Sequence, residues 1–273
     1  MNRLSLQDRA RILHCLVEGN SRRAAARMVD VSINTVTKLL VDVGTACDIY
    51  QNEKLRKLPC KRVQCDEIWS FVSMKEKNVP AERRGNIGIG DVYTWTGIDA
   101  DTKLMVSWLV GKRDAWHAKR FIDDLRDRLA GRVQVTTDGL RVYITAIERA
   151  FGDDVDYAML VKLYGHVPDS GRYSPPECVG TEVVPISGNP NPAHISTSYA
   201  ERQNLNMRMS MRRFTRLTNG FSRKVQNLEC AVALHFMYYN FGRVHKTLRV
   251  TPAMEAGIAD HVWTLDEIAQ LAD

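Results

Sequence analysis

Across positions 4–44, apolar residues recur with a helical period broken twice by turn residues, which predicts three short helices. Ile12, Leu13, Leu16 and Val17 form one stripe, and Gly19-Asn20 ends it. Ser21 caps a second helix running through Arg22-Arg23-Ala24-Ala25-Ala26-Arg27. Ser32 caps a third, whose Val36, Leu39, Leu40 and Val43 face inward. A charge-rich linker is expected over 51–59. The pattern then switches: 62–72, 92–99, 104–111 and 132–137 are β-rich runs with many Val, Trp and Thr. Helical spacing returns over 116–130, where Phe121, Leu125 and Leu129 repeat every four residues, and over 143–151; a further strand is expected at 157–163. This order predicts an α/β mixed sheet with flanking helices, preceded by a small all-α domain. Residues 165–192 break the pattern and hold six of the nine prolines, so a long loop is expected, functional or disordered. The Gly-rich 83–90 is not GxGxxG and no helix follows it, which makes it a turn between the first two strands. Toward the C-terminus an apolar helix runs through Ala231, Leu234 and Phe236, Thr251-Pro252 opens another, and Thr264 to Glu267 reads as a capping box.

Composition narrows the class. With 273 residues, 44% hydrophobic and 26% charged, the chain is globular with ample core. No apolar run approaches the roughly 18 residues of a membrane span, and the polar N-terminus is no signal peptide, so a cytoplasmic protein with no membrane partner is expected. The six cysteines lack the paired spacing of a zinc site; free buried thiols are expected, without structural zinc.

Charge is unevenly spread. Glu201 is followed by Arg202, Arg208, Arg212, Arg213, Arg216, Arg223 and Lys224, so seven bases minus one acid give an excess of six, equal to the net +6 of the chain. The rest is close to neutral. Charge this concentrated attracts polyanions, nucleic acid above all; a merely solvated basic helix face normally carries interleaved acids. The N-terminal helices point the same way. Their order matches a helix-turn-helix, in which the last helix enters the major groove. Asn34, Thr35, Thr37 and Lys38 would read base edges, while Arg22, Arg23 and Arg27 would hold phosphates. A three-helix protein-contact module is the competing reading.

Three carboxylates stand out. Asp66 lies inside a β run, where an ionised group needs a cation or a wet cleft. Asp138 ends a strand, where α/β sheets build sites, although Asp-Gly is also a common turn. Glu201 begins a helix that Ser196, Thr197 or Ser198 can cap. On that helix Ala200, Met207, Met211 and Phe214 form the buried stripe, with Glu201, Arg208 and Arg212 to one side. Two strand aspartates and one helical glutamate can hold two Mg²⁺ ions about 4 Å apart, with Arg208 on a phosphate.

At these residues the chain resembles the DDE transposases with a ribonuclease-H-like catalytic core, specifically the family of insertion sequence one. CDEIWSF at 65–71, TTDG at 136–139, the 201–224 segment and YNFGRVHKTLRVTPA at 239–253 carry the resemblance, which covers most of the chain. It implies a catalytic triad of Asp66, Asp138 and Glu201 binding Mg²⁺, replaceable by Mn²⁺, with Arg208 in an auxiliary role. It also implies binding of terminal inverted repeats, DNA cleavage and joining of 3′ ends to a target, in a homo-oligomer on double-stranded DNA. Arg202, Arg212, Arg213, Arg216 and Lys246 are the further DNA contacts expected. The domains implied are a helix-turn-helix over 1–46, a linker over 47–60, a ribonuclease-H-like catalytic domain over 61–228 and a C-terminal helical segment over 229–273. Some family members carry a cysteine-rich zinc motif before the helix-turn-helix, which this chain lacks. Two other readings stand beside the transposase: a DNA-binding regulator that has lost the chemistry, and a nuclease that cuts without joining.

Overall fold

The structure, a computed structural model, describes residues 4–86, 88–165 and 177–273. Its centre is a six-stranded mixed sheet built from β1 (Arg62–Val72), β2 (Gly90–Asp99), β3 (Met105–Gly111), β4 (Val133–Thr137), β5 (Val155–Gly165) and β6 (Glu177–Ser187), in the order β3-β2-β1-β4-β5-β6. β1, β2 and β3 form an antiparallel meander, β4 and β5 join parallel to β1, and β6 returns antiparallel to β5. The parallel strands need crossovers, which α4 (Ala115–Arg128) and α5 (Val142–Phe151) supply. This is the α/β mixed sheet with flanking helices that the sequence pattern predicts.

Buried on both faces, β4 reads as the continuous run VQVTT with every residue buried. On one face Trp95 packs against Phe121 of α4 and edge-on against Tyr143 of α5, with ring centroids 6.1 and 5.4 Å apart. The other face takes α6 (Ser198–Ser210), whose first-turn amides, Tyr199 and Ala200, donate to the Gln64 side chain of β1 at 2.7 and 3.3 Å. The β3 edge is closed by the C-terminal region, where Asn240 both accepts from the Met105 amide and donates to its carbonyl.

The N-terminal helices α1 (Leu6–Val17), α2 (Arg22–Met28) and α3 (Ile33–Lys54) begin where expected, with Ser21 and Ser32 capping the second and third. α3, however, is 22 residues long and runs through most of the segment expected to be linker. Its Val43, Cys47 and Gln51 stay buried after the first three turns because α7 (Val225–Met237) lies against them. The helices meet at Gly44, where a Cβ would stand 2.4 Å from the Cys230 carbonyl oxygen. α1 is tied to the last helix, α9 (Leu265–Gln270), by Arg9, which donates to the Ala269 carbonyl and pairs with Asp273 at 2.6 Å. α9 has its capping box, and α8 (Pro252–Glu255) starts at Thr251 with proline in its first turn.

Other boundaries also move. Part of the expected 165–192 loop is β6, which tolerates Pro185 because it is an edge strand whose outer side pairs with no strand among the described residues; 166–176 lie outside the described residues. α6 stops at Ser210, so Arg212 and Arg213 sit in a 3-10 turn and Arg216 in the irregular chain beyond it, not on a continuous basic helix. Ala200, Met207, Met211 and Phe214 are nonetheless all buried. Cys178 is exposed, against the buried thiol expected, because it lies on β6. Among the described residues no helix is long and apolar enough to cross a membrane.

Candidate active site

Parallel register sets the two aspartates side by side. Gln64 of β1 is level with Thr136 of β4, so Asp66, two residues on, is level with Asp138, the first residue past the end of β4. One carboxylate oxygen each from Asp66, Glu67 and Asp138 lies within 4.8 Å of the others. Each carboxylate is held. The Glu67 amide donates to Asp66 Oδ1 and Asn204 Nδ2 of α6 donates to Asp66 Oδ2, both at 2.8 Å. Asp138 Oδ1 accepts from the Leu140 amide at 3.0 Å. Glu67, its side chain 2% exposed, accepts from Arg113 Nε at 2.6 Å and from the Tyr143 hydroxyl at 3.1 Å. Arg113, just before α4, also reaches to 3.7 Å from Asp138.

Like charges this close oppose ionisation. Burial, and then the neighbouring charges of Glu67, Asp138 and Glu201, push the Asp66 carboxyl up to about 7. Burial and the charge of Asp138 raise Glu67 as well. Carboxylate oxygens crowded at a part-open strand end are what a hard divalent cation takes as ligands. The buried Oδ1 of Asn204, with no hydrogen-bond partner among the described residues, adds an oxygen beside them. The donor set therefore fits a hard divalent cation.

Glu201 stands outside this triplet. It pairs with Lys162 of β5 at 2.6 Å and accepts from Thr197 Oγ1 at 2.5 Å. Thr197 is the N-cap residue, but its hydroxyl goes to Glu201 instead of a backbone amide. One helical face nevertheless carries Glu201, Asn204 and Arg208 toward Asp66. Arg208 is lowered by burial and by Arg216, while the charge of Asp66 draws it back up.

The expected DNA contacts fall into two groups. Arg23, Arg27, Asn34, Lys38, Arg202, Arg212, Arg216 and Lys246 are exposed. Arg22, Thr35, Thr37 and Arg213 are part-buried. Lys38 is ion-paired with Asp42. Thr37 donates to the Ile33 carbonyl and accepts from Arg22, both at 2.8 Å, and Thr35 shares a hydrogen bond with Ser32. Burial, then Arg223 and Arg23, lower Arg22; burial and Arg22 bring Arg213 down to about 10. Glu67, Asn204, Arg113, Tyr143 and Lys162 are the site residues that pattern reading missed. Only Asn204 left a signal, three positions after Glu201 on one helical face.

No family profile and no curated protein matches the chain. Among solved structures it is similar to the piggyBac transposase synaptic complex with hairpin DNA, at 11% identity and a TM-score of 0.39, over 78% of this chain and 52% of that one. It is also similar to the Mos1 transposase paired-end complex with left transposon end, at 14% identity and a TM-score of 0.24, over 57% of this chain and 60% of that one. A Mos1 mariner paired-end complex with Mn matches at 12% identity and a TM-score of 0.24, over 57% of this chain and 59% of that one. The chain thus spans between half and three fifths of the length of these neighbours.

Proposed function

We propose that the chain is a DDE-type DNA transposase of the insertion sequence one kind, binding the terminal inverted repeats of an element, cutting there and joining the 3′ ends to target DNA. The observation that carries this reading is the carboxylate pair Asp66, inside β1, and Asp138, level with it just past the end of the parallel strand β4, under a helix bearing Glu201, Asn204 and Arg208. In this reading Asp66, Asp138 and Glu201 are the metal ligands. Two Mg²⁺ ions, or Mn²⁺ in their place, would supply activation of the attacking oxygen and stabilisation of the leaving one.

The chain's own residues do the rest. Asn204 fixes the orientation of Asp66, Arg208 holds a phosphate beside the acids, and Arg113 keeps Glu67 in place from the opposite side. Glu201 joins the ligand set by giving up Lys162, a salt bridge whose partners are 30% and 40% exposed and so inexpensive to break. Glu67 is the competing third ligand, favoured by its place inside the 4.8 Å triplet. The surrounding bases, Arg22, Arg23, Arg27, Arg202, Arg212, Arg213, Arg216 and Lys246, hold the DNA backbone, and Asn34, Thr35, Thr37 and Lys38 face bases in the major groove. The enzyme acts as a homo-oligomer, with residues 1–46 as the end-recognition domain.

The test is incubation with a labelled element end bearing a 3′-OH, target DNA and Mg²⁺. A joined product supports the transposase, hydrolysis alone reduces it to a nuclease, and binding without either leaves a regulator. Glu201→Gln and Glu67→Gln separate the two candidates for third ligand: the reading expects the first to be inactive and the second active.

A further inference from the structure

Beyond the acids, the sheet changes character. β4 ends at Thr137, while β1 continues beside β2 to Val72, where it meets a single bridge to Ser222, so the two strands project past the site. Side chains alternate, and the face that bears Glu67 therefore bears Trp69 and Phe71 next, at about 7 Å intervals. Tyr93 lies directly opposite Trp69 in the antiparallel register and shares that face. The Trp69 and Phe71 ring centroids are 5.8 Å apart, and Phe221 extends the row 4.9 Å beyond Phe71. Trp69 is 42% exposed although it is the largest side chain of the row. Cations flank the rings: Lys75 Nζ lies 5.9 Å from the Trp69 centroid and 6.0 Å from that of Phe71, and the Arg113 guanidinium lies 5.7 Å from Tyr93 while bonded to Glu67.

We infer that this aromatic wall is a stacking site for unpaired nucleobases next to the phosphate held at the acidic cluster. It rests on the DNA-processing reading above and adds that the substrate is frayed or single-stranded where it meets the site. Flat rings accept any base face, which suits a site that must take ends of differing sequence, and Lys75 and Arg113 supply the positive charge that a backbone running along the wall requires. A protein partner would match the rings, but would leave Lys75 without a complementary role beside an acidic site.

The test compares two DNAs in the absence of divalent metal: a blunt duplex and the same duplex with a short single-stranded overhang carrying a fluorescent purine analogue. Wild-type protein should bind the overhang form tighter, on the order of tenfold, and quench the analogue on stacking. Trp69→Leu, which keeps apolar volume against Phe71 but removes the indole, should lose that preference with unchanged affinity for the blunt duplex. Trp69→Phe should restore most of it. The inference is overturned if wild type shows no overhang preference, if Trp69→Leu retains it, or if that variant weakens both DNAs equally. Failure to bind either DNA is a separate result, which removes the DNA-processing reading and this site with it.

Discussion

The acidic cluster at Asp66 and the seam where α2 meets residues 212–224 are both crowds of like charge, and they are balanced in opposite ways. The acids have cationic neighbours: Arg113 bridges Glu67 and Asp138, and Lys162 holds Glu201. The bases have hydroxyls instead: Arg213 donates to Ser222 and Arg22 to Thr37, each at 2.8 Å. Partial neutralisation with the innermost carboxyl still near 7 marks a site for a small, highly charged cation. In the proposed reading, crowded guanidiniums, with Arg22 and Arg213 each donating to a neutral hydroxyl, would suit a large, diffuse anion. In that reading the difference separates the place of chemistry from the place of grip.

The strongest way to break this comparison is Asp66→Asn or Asp138→Asn. Removing one ligand should lower metal-dependent cleavage by about a thousandfold, equivalent to several kcal/mol of lost charge stabilisation, with DNA affinity unchanged in a gel-shift titration. Asp66→Asn should also raise the melting temperature measured at pH 8 without metal, since it removes a charge that the fold disfavours. A fall there would mean that the acids are not in conflict. On the other side, Arg213→Met should weaken DNA binding about tenfold and reduce the salt-dependence slope by about 0.9, as should Arg208→Ala. An unchanged slope would take that residue off the backbone.

A buried imidazole between the two regions provides a pH axis independent of both. His235 lies under α6, its Nε2 3.4 Å from Gln203, and burial followed by the charge of Arg243 lowers it to about 3. Its folded value lies below the unfolded 6.5, so the unfolded chain takes the proton first and stability falls as pH drops from about 6.5 toward 3. The slope is about 1.4 kcal/mol per pH unit for one proton. Denaturant titrations of wild type and His235→Gln should diverge over that window; parallel curves would refute the assignment. The smallest effect belongs to Lys162→Met, which frees Glu201 and should tighten Mn²⁺ binding by a few-fold, read by paramagnetic resonance.

Much of this architecture was legible in the sequence because period-two and period-3.6 patterns were clean. β1 was expected at 62–72 and found there, and the Thr264 capping box formed as read. Misreadings had physical causes. β6 is hidden in the sequence because Pro185 and Gly180 are turn residues, and a sheet tolerates such a proline at its edge. α3 runs beyond the helix expected because its later turns are stabilised by α7, nearly two hundred residues away, through a close approach at Gly44. Asp66 could be singled out because an ionised group inside a strand has no structural benefit without a cation or a wet cleft, and Asp138 because it ends a strand, where α/β sheets build sites. Glu67 could not: alternation assigns it to the opposite face of β1, and only the early end of β4 lets both carboxylates reach Asp138. Lys162 and Arg113 are long-range partners that no local pattern encodes.

Manganese anomalous scattering from crystals grown with Mn²⁺ tests the central claim most directly. The account predicts a peak within coordinating distance of carboxylate oxygens from both Asp66 and Asp138. A well-ordered acidic cluster without such a peak, or manganese bound only elsewhere, would contradict it.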